Sequence, residues 1–116
     1  MRGWAFAISF CLVTCLIAAQ AHASSITGMA SYYKMGKRTA NGEHYYPDGY
    51  TCAHRNLPFG TWLKVTNLGN HRWELVRVND RGPFTKSRVL DLSMGAAREL
   101  GMVGHGVARI SFEIYN

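Results

Sequence analysis

Three side chains in this sequence have the types and spacing for acid–base work: Glu43, His54 and Asp80. Asp80 is the best mounted of the three. The run Trp73-Glu74-Leu75-Val76-Arg77-Val78 is rich in β-formers and reads as a half-buried strand. Asn79-Asp80 ends it, and Gly82-Pro83 cannot extend a ladder because proline has no amide proton to donate. A carboxylate at a strand end beside a rigid turn is held by backbone it does not itself have to order, as a preorganised catalytic group is. A turn-capping Asp makes the same local bonds, so Asp80 needs the company of the other two residues to be read as chemistry. An aspartic acid with its ordinary pKa of about 3.9 carries a proton in only about one molecule in a thousand at pH 7. A carboxyl that serves as an acid needs a rise of about 2 units, worth ~2.8 kcal/mol, from burial or from a second carboxylate, for which Glu43 is the candidate.

The elements that must position these groups are short strands. Ile26 to Tyr33 reads as a first strand, Thr61 to Asn67 as another, and Leu68-Gly69-Asn70-His71 as the hairpin connection into the strand that ends at Asp80. Arg88 to Leu92 is a further strand. Ser93 caps the one good helix, and Gly101 stands where a left-handed residue ends it. The last strand alternates, with Ala108, Ile110, Phe112 and Ile114 on one face and Arg109, Ser111, Glu113 and Tyr115 on the other. Lys34 to Gly49 is a long polar loop carrying Glu43, and such a loop in a small domain is more often functional than idle. Five or six short strands with one brief helix point to a small closed barrel, a mainly β fold.

Residues 1–23 read as a secretory signal peptide: Arg2, an apolar run from Trp4 to Ala19, then Ala21-His22-Ala23 as a small-x-small cleavage site. The run is short for a bilayer and no second one follows, so no transmembrane segment is expected and residues 24–116 form the exported domain, in the periplasm or cell envelope. A rival reading makes Cys15 the acylated cysteine of a lipoprotein, but Thr14 and the apolar residues after Cys15 suit it poorly. With the signal removed, Cys52 is the only cysteine, expected as a small buried hydrophobe; a Cys52–His54 nucleophile pair lacks the helix N-terminus that would activate it. No zinc spacing is present, and neither metal nor organic cofactor is expected. Twelve basic side chains against seven acidic ones suit an acidic or wall-polymer partner; without an RNA-binding aromatic motif or basic helix, nucleic acid is not expected. A monomer is expected.

Seven segments in order, Gly28-Met29-Ala30-Ser31-Tyr32-Tyr33, Thr39-Ala40-Asn41-Gly42-Glu43, Ala53-His54-Arg55 with Leu57-Pro58-Phe59-Gly60-Thr61, Val65-Thr66-Asn67-Leu68, Val78-Asn79-Asp80-Arg81-Gly82-Pro83-Phe84, Asp91-Leu92-Ser93 and Leu100-Gly101, resemble the rare lipoprotein A (RlpA)-like domain. The resemblance implies a six-stranded double-psi β-barrel, shared with expansins, barwins and a family of cellulases. It also implies lytic transglycosylase action on peptidoglycan glycan strands that lack stem peptides, with Glu43, His54 and Asp80 in the active site and Asp80 the acid. The alternative from another class is a non-catalytic, expansin-like or barwin-like wall-binding module. Two departures stand out: no C-terminal peptidoglycan-binding repeat follows, which puts septal targeting in doubt, and Tyr46-Pro47-Asp48-Gly49-Tyr50 looks unlike the usual loop.

Around the three central residues, Asn41, Arg81, Asp91, Tyr32 and Tyr33 are candidates for holding substrate. Arg81 follows Asp80 in extended backbone and is expected to point away from it, toward carbonyls or an acid. Asp91 either lies near the groove, as in the relatives, or helps fix the start of the helix. Tyr32, Tyr33, Tyr45, Tyr46 and Tyr50 offer faces for stacking sugars, or cover the barrel.

Overall fold

The computed structural model describes residues 24–115. The signal peptide and the alternative lipid-bearing Cys15 lie outside the described residues.

Six strands close into a barrel: β1 (Ile26–Tyr33), β2 (Thr51–Ala53), β3 (Trp62–Asn67), β4 (Trp73–Asp80), β5 (Arg88–Ser93) and β6 (Val107–Ile114), in the spatial order β1-β5-β2-β4-β3-β6. One helix, α1 (Met94–Glu99), follows β5. Pairing is parallel between β1 and β5 and between β2 and β4, and antiparallel elsewhere. The inward positions are the apolar halves of the alternating strands: Leu63 and Val65, Val76 and Val78, Leu90 and Leu92, Ile110 and Phe112. Removing such a side chain from water contributes roughly 1.5–3 kcal/mol each, which makes the barrel wall a firm base for what its rim carries.

Helix α1 closes the barrel against β1, β4 and β5. Ser93 is its N-cap, with extended φ −65° and ψ 159°, and its Oγ accepts from Ala96 N at 3.3 Å. The same hydroxyl donates to Gly49 O at 2.6 Å and accepts from Thr51 N at 3.2 Å, so the cap also ties the long loop to the barrel. The helix ends in a Schellman motif: Met102 N reaches Ala97 O, Gly101 N reaches Arg98 O, and Gly101 takes φ +71°.

The sequence reading misses β2. Three residues are too few to show a period, yet β2 sets the geometry of the site. A register shift between Cys52 and Ala53 places Ala53 opposite Asp80 on one side, and β5 places Asp91 opposite Ala53 on the other. Ser31 of β1 then pairs with Asp91. Asp80, Ala53, Asp91 and Ser31 therefore form one row across four neighbouring strands.

Candidate active site

Asp80 is the last residue of β4 and is partly buried. Its Oδ1 accepts two backbone N–H groups, from Ala40 and from Arg81, both at 2.9 Å. The first comes from the long loop, forty residues away in sequence. Oδ2 has no hydrogen-bond partner among the described residues. One oxygen is thus pinned by backbone and the other is not. The loop is pinned in return, since Asn41 N donates to Asn79 O at 3.2 Å; separately, His54 N, just after β2, donates to Asp80 O at 3.2 Å.

Glu43 sits on the adjacent residues of the same strand end. Arg77 Nη2 reaches its Oε1 and Oε2 at 3.0 and 3.1 Å, and Asn41 and Asn79 each donate an amide N–H to Oε1 at 2.9 and 3.2 Å. Strand alternation explains the pairing, since Arg77 and Asn79 share the face opposite Val76 and Val78. The hydrogen bond from Asn41 is the largest cause holding the Glu43 carboxyl below the usual carboxylate range; burial opposes it, and the bonds from Arg77 and Asn79 and the Arg77 charge add to the lowering. The carboxylate that the sequence offers as an acidic neighbour for Asp80 is therefore an ion-paired one. Asn41 Oδ1 is taken by Thr39 Oγ1 and Glu43 N, and its Nδ2 by Glu43, so Asn41 organises the loop.

His54 follows β2, half-buried, its ring edge-on to Phe112 with centroids 5.7 Å apart. Nδ1 accepts from Asn56 N at 3.2 Å and Leu57 N at 3.1 Å, which assigns the proton of the neutral ring to Nε2. Burial, then the nearby Arg55 and Arg81 cations, hold the imidazole pKa below its ordinary value. Near neutral pH His54 is a neutral N–H donor.

Asp91 accepts a hydrogen bond from Ser31 Oγ and lies 3.9 Å from Arg88 Nε. Its neighbour across the site is Gly82, where a Cβ would stand 3.8 Å from Asp91 Oδ2. It sits in β5 beside the site, and the first turn of α1 holds no acid. Arg81 turns away from Asp80: Nη1 donates to His54 O at 3.2 Å and Leu57 O at 2.8 Å, and the guanidinium lies 3.9 Å from the Phe59 ring. Cys52 is buried, and burial pushes its thiol far above the usual range, which removes it from nucleophilic chemistry.

The tyrosines divide by role. Tyr45 is buried, its ring 4.6 Å from that of Tyr33, and its hydroxyl donates to Tyr33 O at 2.6 Å. Tyr32 donates to Val103 O at 2.9 Å. The Tyr33 hydroxyl is buried without a partner among the described residues; burial first, then the Asp80 charge, push the phenol well above its usual range. Tyr46 and Tyr50 are exposed, and with Trp62, Glu43, Arg77 and Asn79 they line a cleft of about 280 Å³. A second groove, of about 450 Å³, opens beside His54 between Leu57, Phe112 and Ile114.

Sequence reasoning misses Arg77, Asn79, Trp62 and Arg55. The alternation of β4 carries a signal for the first two, because it puts them on one outward face. Arg55 carries none: it binds Pro83 O, Thr85 O and Arg88 O at 2.6–2.8 Å and so fixes the segment after Asp80.

Residues 25–112 match the family described as lytic transglycolase. A protein of Nostoc sp. named probable endolytic peptidoglycan transglycosylase RlpA is 54% identical over 95 residues, which is 78% of this chain and 26% of that protein. The endolytic peptidoglycan transglycosylase RlpA of Campylobacter jejuni is 50% identical over 75% of this chain and 33% of its own length. The chain thus spans about a quarter to a third of these curated relatives. Among solved structures, an expansin of Clavibacter michiganensis superposes with a TM-score of 0.67 at 24% identity, covering 80% of this chain and 51% of the expansin. A papain inhibitor of Streptomyces gives 0.67 at 22% identity, covering 80% and 96%. These two likenesses bear on the fold alone and agree with the double-psi barrel. By its sequence from Ser25 to Phe112, the chain belongs to the lytic transglycolase family.

Proposed function

We propose that this chain is exported to the cell envelope and cleaves peptidoglycan glycan strands, those without stem peptides, as a lytic transglycosylase with Asp80 as its acid–base group. The observation that carries the reading is the asymmetry of the Asp80 carboxyl: two backbone N–H groups hold Oδ1 while Oδ2 is left without a protein partner. Family membership supports the choice of reaction. In the proposed step Oδ2 gives its proton to the glycosidic oxygen as the bond from the muramic C1 to that oxygen breaks. The muramic 6-hydroxyl then closes on C1 and returns its proton to the carboxylate. No water is consumed, and the product is a 1,6-anhydro end. His54 contributes a neutral Nε2–H donor to the sugar, and Glu43 holds the loop that supplies Ala40 N.

The test is product analysis on peptidoglycan stripped of its peptides. Anhydro ends are the expected result, reducing ends alone would mean hydrolysis, and binding to sacculi with no soluble product would select the non-catalytic, expansin-like module. Asp80→Asn keeps the size and accepts the same two N–H groups but cannot exchange a proton, so cleavage should fall by about a hundredfold or more while the fold melts normally. An Asp80→Asn protein that releases anhydro-sugars at the parent rate would return the acid role to Glu43 or Asp91.

A further inference from the structure

We propose that the end of the barrel opposite Asp80 is a docking surface for an anionic lipid bilayer, with a headgroup phosphate seated in the hollow between the β3–β4 hairpin and the loop after α1. Strand pairing fixes which segments meet there. β1, β3 and β5 end on that side and β4 and β6 begin on it, so Lys34 and Met35, the hairpin from Leu68 to Arg72 and the loop from Gly101 to Gly106 emerge together beside α1. Asp80 stands at the other end of β4, and from Arg72 to Asp80 the chain covers about 25 Å at about 3.3 Å per residue.

Charge, shape and polarity point to that partner. The hollow has a volume of about 370 Å³; Asn67, Asn70, Gly101, His105 and Arg109 are among the residues that line it, and none of the lining residues is acidic. Arg72 packs against its wall, since a Cβ on Gly101 would stand 2.7 Å from Arg72 Nη1 and 2.8 Å from Asn70 Nδ2. The ion pairs among the described residues use Arg77, Arg88 and Arg98, which leaves Arg72 and Arg109 without a carboxylate there. Glu74 and Glu99, the acids nearest these segments in sequence, lie beside Tyr50, close enough for their charges to act on its phenol. Two guanidinium groups at one opening suit a phosphate, which takes paired N–H donors from arginine. The surroundings are apolar and bare: Met35 is 85% and Trp73 55% exposed, and Leu68, Val103 and Val107 are exposed as well. A free phosphate gains nothing from such a rim, whereas a bilayer covers it at the headgroup–acyl boundary, the depth that tryptophan prefers. Docked this way, the chain holds its Asp80 end away from the lipid and toward the wall, and this orientation rests on the reading above that the chain cleaves peptidoglycan.

Vesicle co-sedimentation of the exported form, residues 24–116, tests the surface without any glycan. Mixed phosphatidylglycerol–phosphatidylcholine vesicles should bind the protein at least about tenfold more tightly than phosphatidylcholine vesicles at low salt, and added salt should weaken the binding. Arg72→Ser, Arg109→Ser and Trp73→Ser should each weaken it about fivefold with an unchanged melting curve, whereas Lys86→Ser, which removes a cation at the Asp80 end, should change it by less than about twofold. Equal binding to the two kinds of vesicle, or a loss from Lys86→Ser equal to those from the arginine variants, overturns the surface. Glycerol phosphate bound in solution by a protein that ignores vesicles overturns the lipid assignment in favour of free phosphate. On soluble glycan, Arg72→Ser and Arg109→Ser should release anhydro ends at the parent rate, and a loss of cleavage in either would put the hollow on the path of the glycan and overturn the proposal. Vesicle binding by a protein that forms no anhydro ends would leave the surface standing and sink the transglycosylase reading. Anhydro ends from a protein that ignores anionic vesicles would do the reverse.

Discussion

His54 can be split into two parts by substitution, one that holds backbone and one that titrates. Nδ1 accepts N–H groups from Asn56 and Leu57, which leaves Nε2 to carry the proton of the neutral ring. Asn places its Oδ1 close to where Nδ1 of His lies, whereas Leu keeps comparable bulk and offers no acceptor. Both variants lose the edge contact with Phe112. The difference between them therefore isolates the two N–H bonds. A net hydrogen bond contributes roughly 0.5–1.5 kcal/mol, and the lower end applies here because Asn56 is exposed and water can replace the lost acceptor, so His54→Leu should be less stable than His54→Asn by about 1 kcal/mol. The pH dependence adds an independent readout. The folded-state pKa lies below the unfolded value, so the unfolded chain takes up a proton first as pH falls. This contribution to stability is complete above pH 6.5 and is lost as the pH falls through the folded pKa; it should be absent from both variants. Urea unfolding midpoints between pH 5 and 7.5 provide the measurement. Equal stability of the two variants would refute the acceptor role of Nδ1, and a slope near pH 6 unchanged by either would refute the assignment of the titration to His54.

Four other sites carry expectations. Tyr33→Phe removes a buried hydroxyl with no partner, so thermal unfolding should show a gain of up to about 1 kcal/mol, and a loss of that size would mean that the hydroxyl has a partner in solution. Glu43→Gln weakens a partly exposed ion pair and should cost less than about 1 kcal/mol at pH 7. Because Glu43 is held below its ordinary pKa of 4.5, the parent keeps that stability above about pH 4.5 and loses it as the pH falls further, so the gap between the two proteins should close in acid unfolding. Arg55→Met removes three bonds to the carbonyls of Pro83, Thr85 and Arg88, and should speed amide hydrogen exchange in that segment while leaving β3 and β6 unchanged. Gly95→Ala gains helix propensity, but the new Cβ would stand 2.7 Å from Asp48 O, a backbone atom, so the variant should melt lower than the parent by a calorimetric scan.

How much of this was legible in the sequence depends on the range of the interaction that decides each feature. Local features read well. The strand ending at Asp80, the alternation of β6, the Ser93 cap and the Gly101 terminus are each decided by residues a few positions apart, and the structure has all four. The direction of Arg81 follows from the alternation of extended backbone, and its bonds to His54 O and Leu57 O agree. Features made by contact between distant segments read badly. Strand β2 is three residues long and exists because β4 and β5 flank it, so nothing within Thr51–Ala53 announces it. The ion pair at Glu43 is not legible for the same reason: only folding brings Arg77 to both oxygens of Glu43 from 34 positions away.

That ion pair changes how the site is to be understood. If Glu43 is held ionised by Arg77, Asn41 and Asn79, its role is to fix the loop, and the loop's return is the N–H of Ala40 on Asp80. Both carboxylates are then parts of one device, one as anchor and one as the proposed reactive group, linked through the loop residues Ala40 to Glu43 and through Arg77 and Asn79 of β4. Breaking the anchor should misplace Ala40 N and slow cleavage without touching Asp80. Arg77→Met is the cleaner perturbation, because it leaves both carboxylates in place and removes only the cation. It should lower kcat for anhydro-end formation at pH 7 while shifting the Tm little, since a partly exposed pair contributes at most about 1 kcal/mol. A kcat equal to that of the parent would mean that the loop holds its shape without the pair, and Glu43 would then have to act on the sugar directly.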